Sequence, residues 1–235
     1  MAQVVFITSN ASGNGKTLTT AITAIAAHQF FQQRVLVLDT LNAASQLLHK
    51  LFPQTTTELA AGLTLLPTTV ADLPAQIAAQ RANYDYIFID APTAAGLANA
   101  DNVVTLTAAD AFALRTEQRL RRQIAPLPIH YVGTIQTAIF DQLDTVMPPK
   151  DIPTAELFNL PLANLGGFTD QYRRDGIDID DEADEFAWAY FADLFNELTQ
   201  RIAYVTAHGD LTDFTYTPKF VDDMGITAAG YGLTF

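Results

Sequence analysis

Short apolar runs alternate along most of the chain with segments whose apolar residues recur every three or four positions. A continuous apolar run is typical of a strand buried on both faces, and the longer spacing is typical of a helix with one buried face. The strand pattern occurs at residues 4–8, 34–39, 63–67, 84–90, 102–106 and 129–135. The helical pattern occurs at residues 18–31, 42–51, 70–82, 110–124 and 186–203. This alternation predicts an α/β protein with three α/β/α layers, a mainly parallel central sheet and right-handed crossovers.

The pattern is less regular in the last third of the chain. Residues 151–161 combine strand, loop and helix signals, and residues 175–185 are strongly acidic. We interpret the acidic segment as a solvated loop and helix start, because it lacks the glycine-centred ligand spacing of a Ca²⁺ loop. We expect one domain over residues 1–205, followed by a C-terminal tail or arm over residues 206–235.

The turn between the first strand and the first helix carries the clearest chemical signal. It contains Gly13 and ends in Gly15, Lys16 and Thr17, and glycine gives a tight turn the backbone freedom it needs. Strand, glycine turn and helix form the context of a phosphate-binding P-loop, in which backbone N–H groups and the helix dipole favour negative charge. Lys16 would reach the β- and γ-phosphates and the Thr17 hydroxyl would ligate Mg²⁺. The predicted nucleotide-binding residues are Ser12, Gly13, Asn14, Gly15, Lys16, Thr17 and Leu18.

One position departs from the ordinary P-loop pattern, since Asn10 stands where that pattern has glycine. The alternative interpretation is a glycine turn with a solvated lysine. Two further apolar strands favour the nucleotide site, because each ends in an aspartate, Asp39 and Asp90. Ligands of open α/β sheets bind at the carboxyl ends of strands, and a carboxylate there holds Mg²⁺ or aligns water. We therefore predict Thr17, Asp39 and Asp90 as the metal site and Lys16, Asp39 and Asp90 as the catalytic residues, although Asp90 alone could instead cap a turn.

Composition narrows the range of partners. Hydrophobic residues make up 49% of the 235 residues and charged residues 17%, which is typical of a globular protein with many buried strands. The absence of cysteine excludes disulfides and thiolate metal sites, and the four histidines have no ligand spacing. The apolar runs are far shorter than a membrane span, and no leader pattern precedes the first strand, so we expect a cytoplasmic protein without a membrane partner.

The formal net charge of −13 opposes nucleic-acid binding at long range, so DNA binding would require a local basic patch. The candidate patch has four arginines in one predicted helix: Arg115, Arg119, Arg121 and Arg122. The alternative is a solvated helix face with Glu117 interspersed.

These motifs together resemble the ParA/MinD family of deviant-Walker P-loop ATPases, and most closely the ParA proteins of plasmid and chromosome partition. The resemblance covers residues 4–204. The family motifs K-G-G-x-G-K-T-[ST], D-x-D-P and D-x-P-P stand here as Ala11-Ser12-Gly13-Asn14-Gly15-Lys16-Thr17-Leu18, Asp39-Thr40-Leu41-Asn42 and Asp90-Ala91-Pro92-Thr93. Further similar segments are Ala100 to Leu106 with Phe112 to Arg115, and Ile152 to Glu156 with Leu160 to Leu162.

Two departures from the family pattern bear on catalysis. The family's signature lysine, which reaches the other subunit's phosphates in an ATP-sandwich dimer, is Ala11 here, and the aspartate that positions the hydrolytic water is Leu41. Losing such a cation removes charge stabilisation from the transition state, and a leucine cannot hold water. The segment between Pro92 and Ala100 is also shorter than usual, so we expect the family's switch-like helix to be missing there.

The resemblance implies an ATP- and Mg²⁺-binding protein of plasmid or chromosome partition, with ATP-dependent dimerisation or assembly and weak ATP hydrolysis. Its implied partners are a second copy or a polymer of the chain, a centromere-binding adaptor protein, and nonspecific DNA. Two alternatives stay open. One is a degenerate, hydrolysis-deficient scaffold that acts through protein contacts, and the other is a dethiobiotin-synthetase-like carboxylate ligase on the same fold.

Overall fold

The computed structural model describes residues 1–10, 15–51, 57–108, 111–138, 152–159, 162–163 and 182–219. Its strands are β1 (Gln3–Thr8), β2 (Val35–Asp39), β3 (Glu58–Ala60), β4 (Leu63–Pro67), β5 (Tyr86–Asp90), β6 (Asn102–Ala108), β7 (His130–Ala138) and β8 (Leu162–Ala163). Its helices are α1 (Lys16–Phe31), α2 (Ala43–Leu51), α3 (Leu73–Gln80), α4 (Thr93–Asn99), α5 (Ala111–Ile124) and α6 (Glu182–His208). The predicted alternation of buried strands and amphipathic helices is confirmed.

The strands form one eight-stranded sheet in the order β3-β4-β2-β5-β1-β6-β7-β8. All neighbouring pairs are parallel except β3 and β4, so the predicted mainly parallel sheet is confirmed. β1 lies between β5 and β6, so its carboxyl end is central at that edge of the sheet. In the register of β2 with β5, Asp39 pairs with Asp90, which brings the two predicted carboxylates to the same edge.

Each face of the sheet is covered by its own set of helices, which gives the three layers. The alternate strand residues Val5, Val37 and Phe88 pack in one core cluster with apolar residues of α1, α2 and α6. Phe6, Leu38 and other residues of the opposite face pack in a second cluster with residues of α3, α4 and α5. Because side chains alternate along a strand, near-continuous apolar runs are what two buried faces require.

The short helix α4 corrects one expectation. We expected the helix between Pro92 and Ala100 to be missing, but Thr93–Asn99 is helical over seven residues. It packs closely on β1: a Cβ added at Gly96 would lie 2.2 Å from the Phe6 ring. The small residue lets this short helix approach the sheet, and segment length alone did not reveal that contact.

Helix α6 runs through residue 205 to His208, and Gly209 follows with φ +89°. Residues 211–219 then return along the same helix. The Thr217 N–H donates to Gln200 Oε1 at 3.1 Å, and the Lys219 N–H donates to Asp193 Oδ1 at 2.9 Å. The division of the chain at residue 205 stays a prediction. Within the described parts of the chain, every helix is too short or too polar to cross a bilayer.

Candidate nucleotide-binding site

The predicted phosphate loop lies where the carboxyl end of β1 meets the start of α1. Gly15 has φ 76° and ψ 17°, a left-handed conformation that residues with a side chain rarely adopt. Helix α1 begins at the next residue, Lys16. The Gly15 carbonyl accepts hydrogen bonds from the Thr19 N–H at 2.7 Å and the Thr19 hydroxyl at 2.9 Å. Residues 11–14, which include the predicted Ser12, Gly13 and Asn14, lie outside the described residues. Leu18, the last predicted residue of this loop, is half-buried in the first turn of α1.

Thr17 and Asp90 come together at this edge. The Thr17 hydroxyl donates to Asp90 Oδ1 at 3.3 Å, whereas the buried Asp90 Oδ2 has no hydrogen-bond partner. Asp90 is 3% exposed, so the unpaired oxygen is removed from bulk water as well. A buried oxygen without a donor costs free energy unless a ligand satisfies it. A carboxylate oxygen that lacks a hydrogen-bond donor, beside a hydroxyl oxygen, is the type of ligand that a hard cation prefers.

Burial raises the pKa of Asp90 to about 6, and the charge of Asp39 acts in the same direction, while the Thr17 hydroxyl, the nearby Ala44 N–H and the charge of Lys16 act against it. Partial burial also lowers the pKa of Lys16, and the Asp90 carboxylate opposes that shift. The two groups therefore occupy a region of reduced solvation, where a phosphate or a metal ion interacts more strongly than it does in water.

Asp39 is engaged differently from Asp90. Its Oδ1 accepts from the Leu41 N–H at 2.9 Å, and its Oδ2 accepts from the Ser45 N–H at 2.7 Å and the Ser45 hydroxyl at 2.6 Å. These bonds hold the start of α2 against the end of β2. The role of Asp39 as a metal ligand stays a prediction, and its observed contacts are those of a structural anchor. No sequence pattern pointed to Ser45, whose side chain contributes one of these bonds.

Mg²⁺ fits this arrangement through the Thr17 hydroxyl and Asp90. Mg²⁺ commonly keeps several waters and takes one or two carboxylates together with substrate phosphates. The described residues contain no cluster of three or more His, Cys, Asp or Glu able to hold a metal, so the remaining ligands would be phosphate and water oxygens.

Leu41 and Asn42 follow β2 at the same edge. The Leu41 side chain is 47% exposed, and Asn42 has a positive φ of 56°. An aliphatic side chain offers no acceptor for a water molecule, so this position supplies none of the water alignment that the family aspartate implies. The preceding Thr40 is fixed by its N–H and hydroxyl, which both donate to the Asp90 carbonyl.

Asn10, which departs from the P-loop pattern, has a defined contact. Its side-chain amide donates to the Thr116 carbonyl in α5 at 3.0 Å. Glycine could not make this bond, so the substitution ties the start of the loop to α5. The departure at Asn10 is visible in the sequence, whereas its partner in α5 is not.

The four predicted DNA-binding arginines do not form one patch. Arg115, Arg119 and Arg122 are exposed, whereas Arg121 is half-buried. Arg121 forms an ion pair with Glu156, and its guanidinium carbon lies 5.3 Å from the centre of the Tyr131 ring. The buried Glu117, which we considered part of a solvated face, accepts from the hydroxyls of Thr105 and Thr134, both at 3.1 Å.

Asp90→Asn is expected to raise the stability of the ligand-free protein at neutral pH. Because the folded-state pKa of Asp90 lies above its ordinary value of 3.8, the native carboxyl holds its proton to higher pH. Ionisation therefore costs stability as the pH rises from about 4 to about 6, and the neutral amide avoids that cost, by about 1–3 kcal/mol. Denaturant unfolding at several pH values measures the difference, which should vanish at acidic pH.

Asp39→Asn is the matched control for this experiment. Its carboxylate accepts three hydrogen bonds, so the amide should destabilise the protein by about 1–3 kcal/mol. A loss of stability in Asp90→Asn at neutral pH would contradict the account of an unsatisfied, buried carboxylate.

Comparison with known proteins supports the fold but not the sequence relationship. No protein-family model matches the chain, and no curated protein matches it. The septum site-determining protein MinD of Pyrococcus horikoshii OT3, in complex with Mg-ADP, has a TM-score of 0.63 and 17% identity over 89% of this chain and 99% of its own. MinD of Aquifex aeolicus has a TM-score of 0.61 and 18% identity, covering 93% and 100%. The pNOB8 ParA bound to nonspecific DNA has a TM-score of 0.56 and 16% identity, covering 87% and 99%.

The mainly parallel sheet and the central connection from β1 to α1 give this chain the P-loop fold. More particularly, the chain has the fold of the MinD and ParA ATPases, at low sequence identity. The structural match therefore confirms the fold that the motifs implied.

Proposed function

We propose that this chain binds Mg-ATP at the turn between β1 and α1, and that ATP controls its dimerisation or assembly in plasmid or chromosome partition, with weak hydrolysis. The observation that carries the proposal is the unpaired Asp90 Oδ2 beside the Thr17 hydroxyl. Lys16 would bind the phosphates, and Thr17 and Asp90 would hold Mg²⁺. The bound metal would neutralise phosphate charge, while Asp90 and Lys16 orient the nucleotide.

Two of the similar structures support this choice of ligands and setting. The P. horikoshii MinD structure contains Mg-ADP, and the pNOB8 ParA structure contains nonspecific DNA. Each is covered over nearly its whole length, so the likeness includes the strands that form the site. A centromere-binding adaptor protein is the further partner in this proposal, and the net charge of −13 opposes direct DNA binding.

Exposed apolar side chains support assembly at this edge of the sheet. Leu41 follows β2, Val70 follows β4 and Phe112 follows β6, so all three lie near the carboxyl ends of parallel strands. Their exposed fractions are 47%, 46% and 71%. Large exposed apolar residues grouped around a candidate site are typical of a surface that a partner covers.

A hydrolysis-deficient scaffold is the second candidate, and the local chemistry at Leu41 favours it. The Leu41 side chain offers no acceptor for an attacking water, and the Asp39 carboxylate already accepts three hydrogen bonds. Such a protein would hold nucleotide as a static ligand and act through protein contacts.

Phosphate release with Mg-ATP, measured alongside ATP affinity for the wild type and Leu41→Asp, separates the candidates. Slow turnover in the wild type is the proposed result, and the added acceptor should raise turnover about tenfold or more. Tight binding without wild-type turnover, rescued by Leu41→Asp, would favour the scaffold. Absence of nucleotide binding would refute both.

A further inference from the structure

Helix α5 presents a basic stripe to solvent. Arg115, Arg119 and Arg122 are spaced by four and three residues, which places them on one side of the helix, and all three are exposed. Among the described residues, none of the three forms an ion pair. Phe112, 71% exposed, extends the same side by one turn. We call these four residues the arginine face.

A surface cavity of about 360 Å³ lies beside the C-terminal half of the arginine face. Its lining residues are Gln118, Arg121, Arg122, Ile124, Ala125 and Tyr131. The cavity thus combines apolar groups with the guanidinium of Arg122, while the guanidinium of Arg121 is already paired with Glu156. It suits a ligand that carries an aliphatic group next to negative charges.

The sequence contains a segment of that chemistry. Residues 175–185 hold seven Asp or Glu residues and no Lys or Arg. Within them, Ile177 and Ile179 alternate with Asp178 and Asp180. In an extended peptide this alternation would put the isoleucines on one side and the aspartates on the other.

The segment leads directly into α6, which packs on one face of the sheet, whereas α5 packs on the other. A contact between the arginine face of one chain and the acidic segment of another joins two different surfaces. Such a contact either extends into a ring or filament or forms twice in a reciprocal two-fold dimer.

We propose that the arginine face binds the acidic segment 175–185 of a second copy of this chain. In a chain with 13 basic and 26 acidic residues, the three exposed arginines of residues 115–122 are a concentration of positive charge. The acidic segment of a second copy carries both the opposite charge and the isoleucines that match this face and the adjacent cavity. This contact would be the one through which the chain assembles in the proposed function. It rests on that function only in that ATP would control the assembly.

Complementary charge reversals test the contact. The first variant carries Arg115→Glu, Arg119→Glu and Arg122→Glu, and the second carries Asp178→Lys, Asp180→Lys and Asp181→Lys. Sedimentation velocity of the full chain with Mg-ATP should show self-association weakened at least about tenfold in each variant alone. An equimolar mixture should restore assembly, because the face of each variant then meets the opposite charge on the other's segment.

Two further variants separate charge from shape. Replacing the same three arginines by lysine keeps the charge and should retain most of the assembly, whereas Ile177→Ser with Ile179→Ser should weaken it without changing charge.

Several outcomes would overturn the contact: a mixture that assembles no better than its parts, a wild type that stays monomeric, or an arginine variant that loses only DNA affinity. A contact within one chain would also leave the mixture unrestored. ATP affinity measured in parallel keeps the two proposals distinct. If the wild type does not bind ATP, the proposed function fails, while recovery in the mixture would still support the contact.

Discussion

Lys16→Ala is expected to lower ATP affinity by about 100-fold or more, the largest functional effect of a single substitution in this chain. Lys16 is the first residue of α1, where the helix dipole favours a bound phosphate. Its charge also interacts with the carboxylate of the buried Asp90. Without the ammonium group, a phosphate chain would meet the Asp90 carboxylate with no fixed cation between them. Titration calorimetry with ATP measures the loss directly.

Lys219→Ala is the matched control for that substitution. The Lys219 ammonium lies 5.2 Å from the centre of the Phe31 ring, at the opposite end of α1 from the phosphate loop. Its removal should leave ATP affinity unchanged within about twofold. Equal affinity of wild type and Lys16→Ala would refute the location of the site.

Arg201→Met is expected to destabilise the fold by about 3–5 kcal/mol, because it leaves Glu197 charged and buried without its partner. Arg201 and Glu197 are 1% and 0% exposed, and Arg201 Nε donates to Glu197 Oε1 at 2.8 Å. The Arg201 guanidinium also donates to the carbonyls of Ala155 and Leu157, which ties α6 to the segment beside β7. Denaturant unfolding monitored by circular dichroism measures the change.

Arg81→Met serves as the comparison for a partly exposed pair. Arg81 binds Asp101 at 2.7 Å, but both side chains remain partly exposed, so the loss should be about 1 kcal/mol or less.

The double variant Glu197→Leu with Arg201→Met should recover part of the stability lost in Arg201→Met. Equal losses in the Arg81 and Arg201 single variants would contradict the special role of the buried pair.

The strands could be predicted from the sequence where both of their faces are buried, because such a strand has almost no polar residues. The runs that became β1, β2 and β5 are apolar in sequence because neither face of the central sheet contacts water. The three-residue β3 was not predictable, since pairing with β4, rather than its own composition, makes it a strand. The closeness of Asp39 and Asp90 followed from parallel strand order, and the register confirms it.

The state of each polar side chain was harder to predict. Asp39 and Asp90 occupy equivalent places at strand ends, yet both oxygens of Asp39 accept hydrogen bonds and Asp90 keeps an unpaired oxygen. Glu197 and Arg201 have the i,i+4 spacing common on exposed helix faces, yet both are buried. Likewise, Arg121 pairs with Glu156, which is distant in sequence. These differences depend on tertiary neighbours that the local pattern does not specify.

Titration of ATP into the wild type and Asp90→Asn, with and without Mg²⁺, tests the central claim most directly. We expect saturable binding to the wild type that Mg²⁺ strengthens. Binding to Asp90→Asn should no longer be strengthened by Mg²⁺, because the metal has lost its buried carboxylate. The strengthening should also fade below about pH 6, where Asp90 takes up a proton. Absence of ATP binding to the wild type, or equal Mg²⁺ enhancement in both proteins, would contradict the account.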